Sequence, residues 1–288
     1  MALAGLLAFN ILSTVAVLVL LSLGLGVIYG MMRVINLAHG EFLMLGAYAT
    51  VVATDAGVNL WLAMLVVAPV VVGLVGLVVE RCLVRFLYGR MIDTMLATWG
   101  LSLALIGVIT TVFGNTVHGV SAPIGGFAIG PYEGSGYGLF IIVVAAVITV
   151  LLWLLLRATR FGLIVRATMQ NPAMAAALGV SPQRVYMITF ALGSALAGLA
   201  GGVLAPISGV APNMGGAFIA KAFITVLGGG TAIVTGTTIA SGLFGFVSEL
   251  VSFRTTPVFG EVALLASAII MLRVLPQGIT GRFFRRSL

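Results

Sequence analysis

Residues 139–156, LFIIVVAAVITVLLWLLL, contain one hydroxyl group and no charge. A run of that kind has no face to offer to water. On a helix rising about 1.5 Å per residue it covers most of the ~30 Å of hydrocarbon in a bilayer. Comparable runs recur along the chain. Reading each one between charged or Gly/Pro-rich breaks predicts membrane segments over 11–32, 35–54, 61–80, 94–113, 139–156, 185–206, 216–229, 232–252 and 258–275. The runs are continuously apolar, whereas a transmembrane β-barrel alternates in ten-residue pieces. Only 7% of residues are charged, against roughly 25% in soluble domains, which excludes a water-soluble fold. The expected fold is therefore all-α, a polytopic transmembrane helical bundle with 8–9 membrane segments, some broken or re-entrant. It occupies residues 1–288 as a single domain.

The formal charge of +7 does not point to nucleic acid, because the basic residues lie in short clusters between apolar runs. Membrane topology accounts for them better. Three clusters set the expected orientation: Arg81, Arg85 and Arg90; Arg157, Arg160, Arg166 and Arg184; and Arg273, Arg282, Arg285 and Arg286. All three are expected on the cytoplasmic side, which places the C-terminus there as well. Two segments separate the first cluster from the second, so those two agree. The second and third agree if Gly228, Gly229 and Gly230 break residues 216–252 into two segments. The stretch 114–138 carries Pro123, Pro131, Glu133 and His118 but no Lys or Arg, as an outward-facing loop should. The N-terminus lacks a positive stretch before its first apolar run, so that segment is expected to remain in the mature chain. The single cysteine, Cys82, permits no internal disulfide and no Cys-based metal site.

Polar residues stand out against this background in three places. In MRVINLAHGEF, residues 32–42, four polar or ionisable side chains separate two apolar runs. From Phe42 to Thr54 the second run has only 13 residues, too few to cross. Either the patch lies within the membrane as part of a discontinuous helix, or it is a cytoplasmic turn and the next helix starts from Ile35. On the first reading Asn36, His39 and Glu41 are candidates for a solute pathway. On the second they brace a helix junction, with Glu41 paired to Arg33 or His39. The second place is the polar insertion Arg157–Arg184. Asn171-Pro172 opens a short helix there and Gly179 closes it, giving either a docking element or a helix lying on headgroups. The third, Gly209–Gly230 with Pro212 and Lys221, is expected to be re-entrant or broken, with Lys221 as an interfacial anchor. Ser194, Gly198 and Gly202 recur every four residues and predict a close helix contact.

Lys221 follows Ala220, so the chain has no phosphate-binding G-x-x-x-x-G-K loop and no recognisable ATP site; H-E-x-x-H and G-x-S-x-G are also absent. Its two histidines, His39 and His118, fall at different expected levels. Neither an enzyme, nor a bound cofactor, nor a metal site is expected.

The stretch GVIYGMMRVINLAHGEFLMLGAY, residues 26–48, closely resembles the N-terminal signature of LivH-type permeases of bacterial ABC importers. RFGLIVRATMQNPAMAAALGVSPQRVYMITFALGSALAGLAGGVLAPI, residues 160–207, resembles the same family's cytoplasmic coupling segment and the Gly/Ala-rich helix after it. The likeness continues through KAFITVLGGGTAIVTGT and LPQGITGR. The resemblance implies a multi-pass permease of the bacterial inner membrane. Its implied partners are a homologous second permease subunit, two cytoplasmic ATP-binding subunits and an extracytoplasmic solute-binding protein, with alternating access driven by the ATPases. It also implies that the segment from Asn171 to Pro182, including Pro172, rests in a groove of the ATPase, with Met174, Ala177 and Gly179 as the expected contacts. Family members serve branched-chain or other hydrophobic amino acids, and close relatives serve urea or short-chain amides. A stand-alone channel or secondary transporter would instead carry several intramembrane carboxylates. Glu41 is the main candidate here, and Glu249 and Glu261 lie near segment ends.

Overall fold

The computed structural model describes residues 2–230 and 232–283. Its helices are α1 (Ala2–Met32), α2 (His39–Asp55), α3 (Leu60–Cys82), α4 (Met91–Phe113), α5 (Gly136–Ala158), α6 (Arg160–Gln170), α7 (Pro172–Ala177), α8 (Pro182–Ser208), α9 (Met214–Gly229), α10 (Ile233–Arg254), α11 (Pro257–Val274) and α12 (Gly278–Phe283). Among the described residues seven helices are long and apolar enough to cross a membrane: α1, α3, α4, α5, α8, α10 and the stretch Pro257–Gly281. Helix α9, at 16 residues, is a shorter apolar one, and α2 has 17. Together these are the nine segments expected, two of them shorter than the roughly 20 residues of an ordinary crossing.

The structure corrects the boundaries in three places. The first helix starts at Ala2, not near residue 11, because ALAGLLAF is made of apolar residues that favour helix. The second starts at His39, so Ile35–Ala38 are not helical. Within 114–138, which was expected to be a plain loop, β1 (Gly126–Ile129) and β2 (Tyr132–Ser135) pair as an antiparallel hairpin. Pro69 lies inside α3, where its ring and missing N–H would disturb an α-helical turn; a wider π-turn over Ala63–Val67 absorbs the mismatch. Of the third basic cluster, Arg285 and Arg286 lie outside the described residues.

By its contacts the chain divides into two units. One comprises residues 23–120 and 150–219. In it α2 and α3 pack on α8 through glycines. A Cβ built on Gly46 would lie 2.2 Å from the Gly198 carbonyl oxygen, and one on Gly76 would lie 2.4 Å from the Ser194 Cβ. The Ser194/Gly198/Gly202 stripe is thus a packing seam that brings backbones together. Further along, Met44, Ala47, Tyr48 and Val51 of α2 cluster with Ile109, Ala205, Val210 and Met214. There His118 and Val210 exchange two backbone hydrogen bonds of 2.8 Å.

The other unit comprises residues 1–22, 121–149 and 220–288. Its apolar core joins Leu18, Ala240, Phe244, Leu264, Ala268 and Met271. Gly230, at φ 81°, ends α9 where the triple glycine predicted a break. Thr280 holds that break by donating to the Gly229 carbonyl at 2.5 Å and accepting from the Ala232 N–H at 3.1 Å. Two carboxylates find partners in this unit: Thr14 donates to Glu249 at 2.9 Å, and Lys221 pairs with Glu261 at 2.5 Å. Lys221 is therefore an ion-paired residue and not only an interfacial anchor.

Candidate functional site

The polar stretch after α1 forms a junction inside the first of these units. Helix α1 ends when Arg33 turns into the left-handed region at φ 52°, still donating its N–H to the Tyr29 carbonyl at 2.9 Å. A side chain there costs backbone energy that glycine would avoid, so the surrounding structure has to hold the turn. Asn36 then builds an Asx-turn: its Oδ1 accepts from the Ala38 N–H at 3.0 Å, and its own carbonyl accepts from the His39 N–H at 3.3 Å. This pre-forms the start of α2. The turn explains why the helix begins at His39 and not at Ile35.

Helix α4 supplies the other half of the junction. Thr98 accepts from the Leu37 N–H at 3.1 Å while donating to the Thr94 carbonyl at 2.8 Å, and Ser102 hydrogen-bonds the Glu41 carboxylate. Thr98 stands seven residues into a 23-residue helix, roughly 10 Å along it. The chain break accordingly packs beside the body of α4 and not at its end. Exposed backbone is tolerated there only where protein side chains satisfy it.

Asn36, His39 and Glu41 are brought together here and are almost sealed from solvent, at 0%, 0% and 4% exposure. Glu41 takes its hydrogen bond from Ser102 and not an ion pair with Arg33. Among the described residues, Nδ2 of Asn36 and Oε2 of Glu41 are buried polar atoms with no hydrogen-bond partner. His39 lies against α1, its Cε1 being 3.1 Å from where a Cβ on Gly24 would stand. No three His, Cys, Asp or Glu residues among those described come together as a metal site.

The third polar region also reaches this junction. Gly40 and Gly215, each the second residue of its helix, touch: a Cβ on Gly40 would fall 2.4 Å from the Gly215 carbonyl oxygen. The N-termini of the two short helices α2 and α9 therefore meet.

The coupling segment predicted from Asn171 to Pro182 is a separate, exposed element of the same unit. Asn171 caps α7 by accepting from the Met174 N–H at 3.0 Å, and Pro172 occupies the first turn, where no N–H is needed. Gly179, at φ 84°, lets the chain reverse, so that the Val180 N–H reaches the Ala175 carbonyl at 3.0 Å. Ala175 faces inward, whereas Met174 is 59% exposed and Leu178 78% exposed; Asn171, Pro172, Ala177 and Gly179 are also exposed, and Pro182 is half-buried at the start of α8. Arg166 anchors the preceding α6 by donating to the Leu156 carbonyl, and Thr159 caps it through the Gly162 N–H at 3.2 Å.

Next to the first turn of α8, Tyr186 packs edge-on against Tyr88, their centroids 5.0 Å apart. The Tyr88 hydroxyl donates to Glu80, a fully buried carboxylate at the end of α3. Burial first, and then this hydrogen bond, hold the Tyr88 phenol well above its ordinary range, so it stays protonated as the donor.

Sequence reasoning did not single out Thr98, Ser102 or Leu178. Thr94, Thr98 and Ser102, spaced four apart and all buried, form a hydroxyl stripe on one face of α4 that was available as a signal.

Comparison with known proteins adds a further observation. The profile of the family described as "Branched-chain amino acid transport system / permease component" matches residues 7–275. The probable branched-chain amino acid transport permease protein LivH of Methanocaldococcus jannaschii is 29% identical over 279 residues, covering 92% of this chain and 88% of that protein. The high-affinity branched-chain amino acid transport system permease proteins LivH of Escherichia coli K12 and BraD of Pseudomonas aeruginosa are each 28% identical, over 281 and 287 residues, covering 91% of this chain and of each relative. No solved structure matches.

Proposed function

The chain belongs to the family of permease components of branched-chain amino acid transport systems, and on that premise we propose that it carries branched-chain amino acids into the cell as the permease of a binding-protein-dependent ABC importer. The observation that carries this reading is the family match over residues 7–275. The capped, exposed helix α7 supports it independently, because an apolar Met174/Leu178 face outside the membrane segments suits a groove on another protein.

In this reading residues 1–288 act as one permease domain in the inner membrane, with the segment 157–184 and the C-terminus on the cytoplasmic side. The domain pairs with a second, homologous permease. Two ATP-binding subunits receive α7, with Asn171 and Pro172 shaping it, Met174, Ala177 and Gly179 making contact, and Pro182 passing movement into α8. A solute-binding protein delivers the amino acid from outside. Asn36, His39 and Glu41 lie on the solute's path: buried in this conformation, they become accessible when the helices around the junction part.

The test is the ATPase activity of the assembled transporter in lipid, titrated with the solute-binding protein loaded with leucine, urea or acetamide. Stimulation by the leucine-loaded form is expected. Stimulation by the urea or acetamide form alone would move the substrate to that class, and failure to assemble with any ATP-binding subunit would make the chain a stand-alone channel or secondary transporter.

A further inference from the structure

Two helix N-termini in contact inside a membrane protein form an unusual electrostatic arrangement. Each carries roughly half a positive charge on its free N–H groups, and in a medium of low polarity the two repel. Here the meeting point is Gly40 against Gly215, and the one acidic residue in the first turn of α2 is Glu41. Its carboxylate bonds to Ser102 and to its own backbone N–H. The carboxylate is thus held at the N-terminal end of the helix, where it balances both positive ends.

That leaves two unused valences at the same helix start. Oε2 of Glu41 is a buried acceptor without a partner among the described residues, and Nδ2 of Asn36 is a buried donor without one. The Asn36 amide is fixed in place, since its Oδ1 is committed to the Ala38 N–H, three residues before Glu41. A buried polar atom without a partner is costly, so leaving one donor and one acceptor open at the same helix start is an expense that packing alone does not explain. Urea and amides would be served by neutral groups, whereas a free carboxylate oxygen is matched by a cation.

We propose that Glu41 Oε2 and Asn36 Nδ2 recognise the zwitterionic head of an α-amino acid in transit, the carboxylate receiving its ammonium and the amide donating to its carboxylate. The α2 and α9 N-termini supply the balancing field. This rests on the permease reading and adds the two atoms that make the passage selective for amino acids over uncharged solutes.

The test uses the complete transporter in proteoliposomes containing ATP, and measures leucine moved per ATP hydrolysed. Glu41→Gln and Asn36→Asp preserve shape, and the second also preserves the Asx-turn acceptor; each is expected to lower the ratio at least about tenfold, as loss of a hydrogen bond to a charged group would. If either variant assembles and moves leucine at the wild-type ratio, the proposal is overturned. Should both fail to assemble, Asn36→Ser, which keeps a turn acceptor and loses the donor, decides: a lowered ratio supports the proposal, and a wild-type ratio or a third failure to assemble makes these residues structural braces and overturns it. A wild-type transporter that moves urea but not leucine would instead remove the underlying reading.

Discussion

At Gly201 of α8 a Cβ would stand 1.8 Å from the Leu43 carbonyl oxygen of α2, a distance no side-chain adjustment relieves. The expected outcome for Gly201→Val is therefore a loss of about 1–3 kcal/mol or more, read as a lowered melting temperature in detergent. Gly100→Ala is the control: nothing lies within 4 Å of that position, so it should melt like the wild type. At this scale the sequence was partly legible. Asn36, His39 and Glu41 were conspicuous because ionisable and amide groups are rare among apolar runs. Their partners were not, because hydroxyls in membrane helices commonly satisfy themselves on the carbonyl four residues back. Thr98 does this with Thr94 while also accepting from Leu37 across the junction, and only the fold reveals the second bond. The same limit applied to Glu41, whose expected partners were nearby in sequence while Ser102 comes from another helix.

Among the elements, α7 is defined by local chemistry alone: an Asn cap, a Pro in the first turn and a Gly at the exit. It was readable for that reason. Asn171→Ala removes the cap at a cost of about 1 kcal/mol to the helix, and the expected result is weaker stimulation of the ATP-binding subunits with assembly retained. Contact can be read directly. In a Cys82→Ser background, needed because Cys82 is exposed, cysteine at 174 or 178 should cross-link to an ATP-binding subunit, and cysteine at 163 on α6 should do so less. Equal yields at all three would mean that α7 is not the docking element. Helix α2 was less readable. Its start depends on an Asx-turn and on a hydroxyl 61 residues away in the chain, so hydropathy alone placed it four residues too early. The hairpin over 126–135 escaped notice because four-residue strands leave almost no periodicity.

For the whole molecule, the nine apolar segments follow from length and composition, since a helix that must hide its backbone from lipid has few alternatives. What composition does not decide is whether α9, at 16 residues, counts as a pass. Placing the second and third basic clusters on one side, as the sequence leads one to expect, requires that it does. With Cys82 replaced, an impermeant thiol reagent applied from outside is expected to label a cysteine at 133 but not one at 174 or one appended to the C-terminus. Labelling of the C-terminal cysteine from outside would make α9 a re-entrant element that returns to its own side. The shortness of α2 and α9 also bears on how such a protein is made. A ribosome delivers helices one at a time, and a 17-residue segment that opens with His39 and carries Glu41 has little reason to leave a water-filled exit for oil by itself. It must wait for company. Thr98 and Ser102, which satisfy its junction, and Gly198 and Gly201, against which it packs, emerge later. The junction is thus completed only once α8 and the start of α9 have emerged, and a nascent chain halted before α8 would hold its most polar residues without the shelter meant for them.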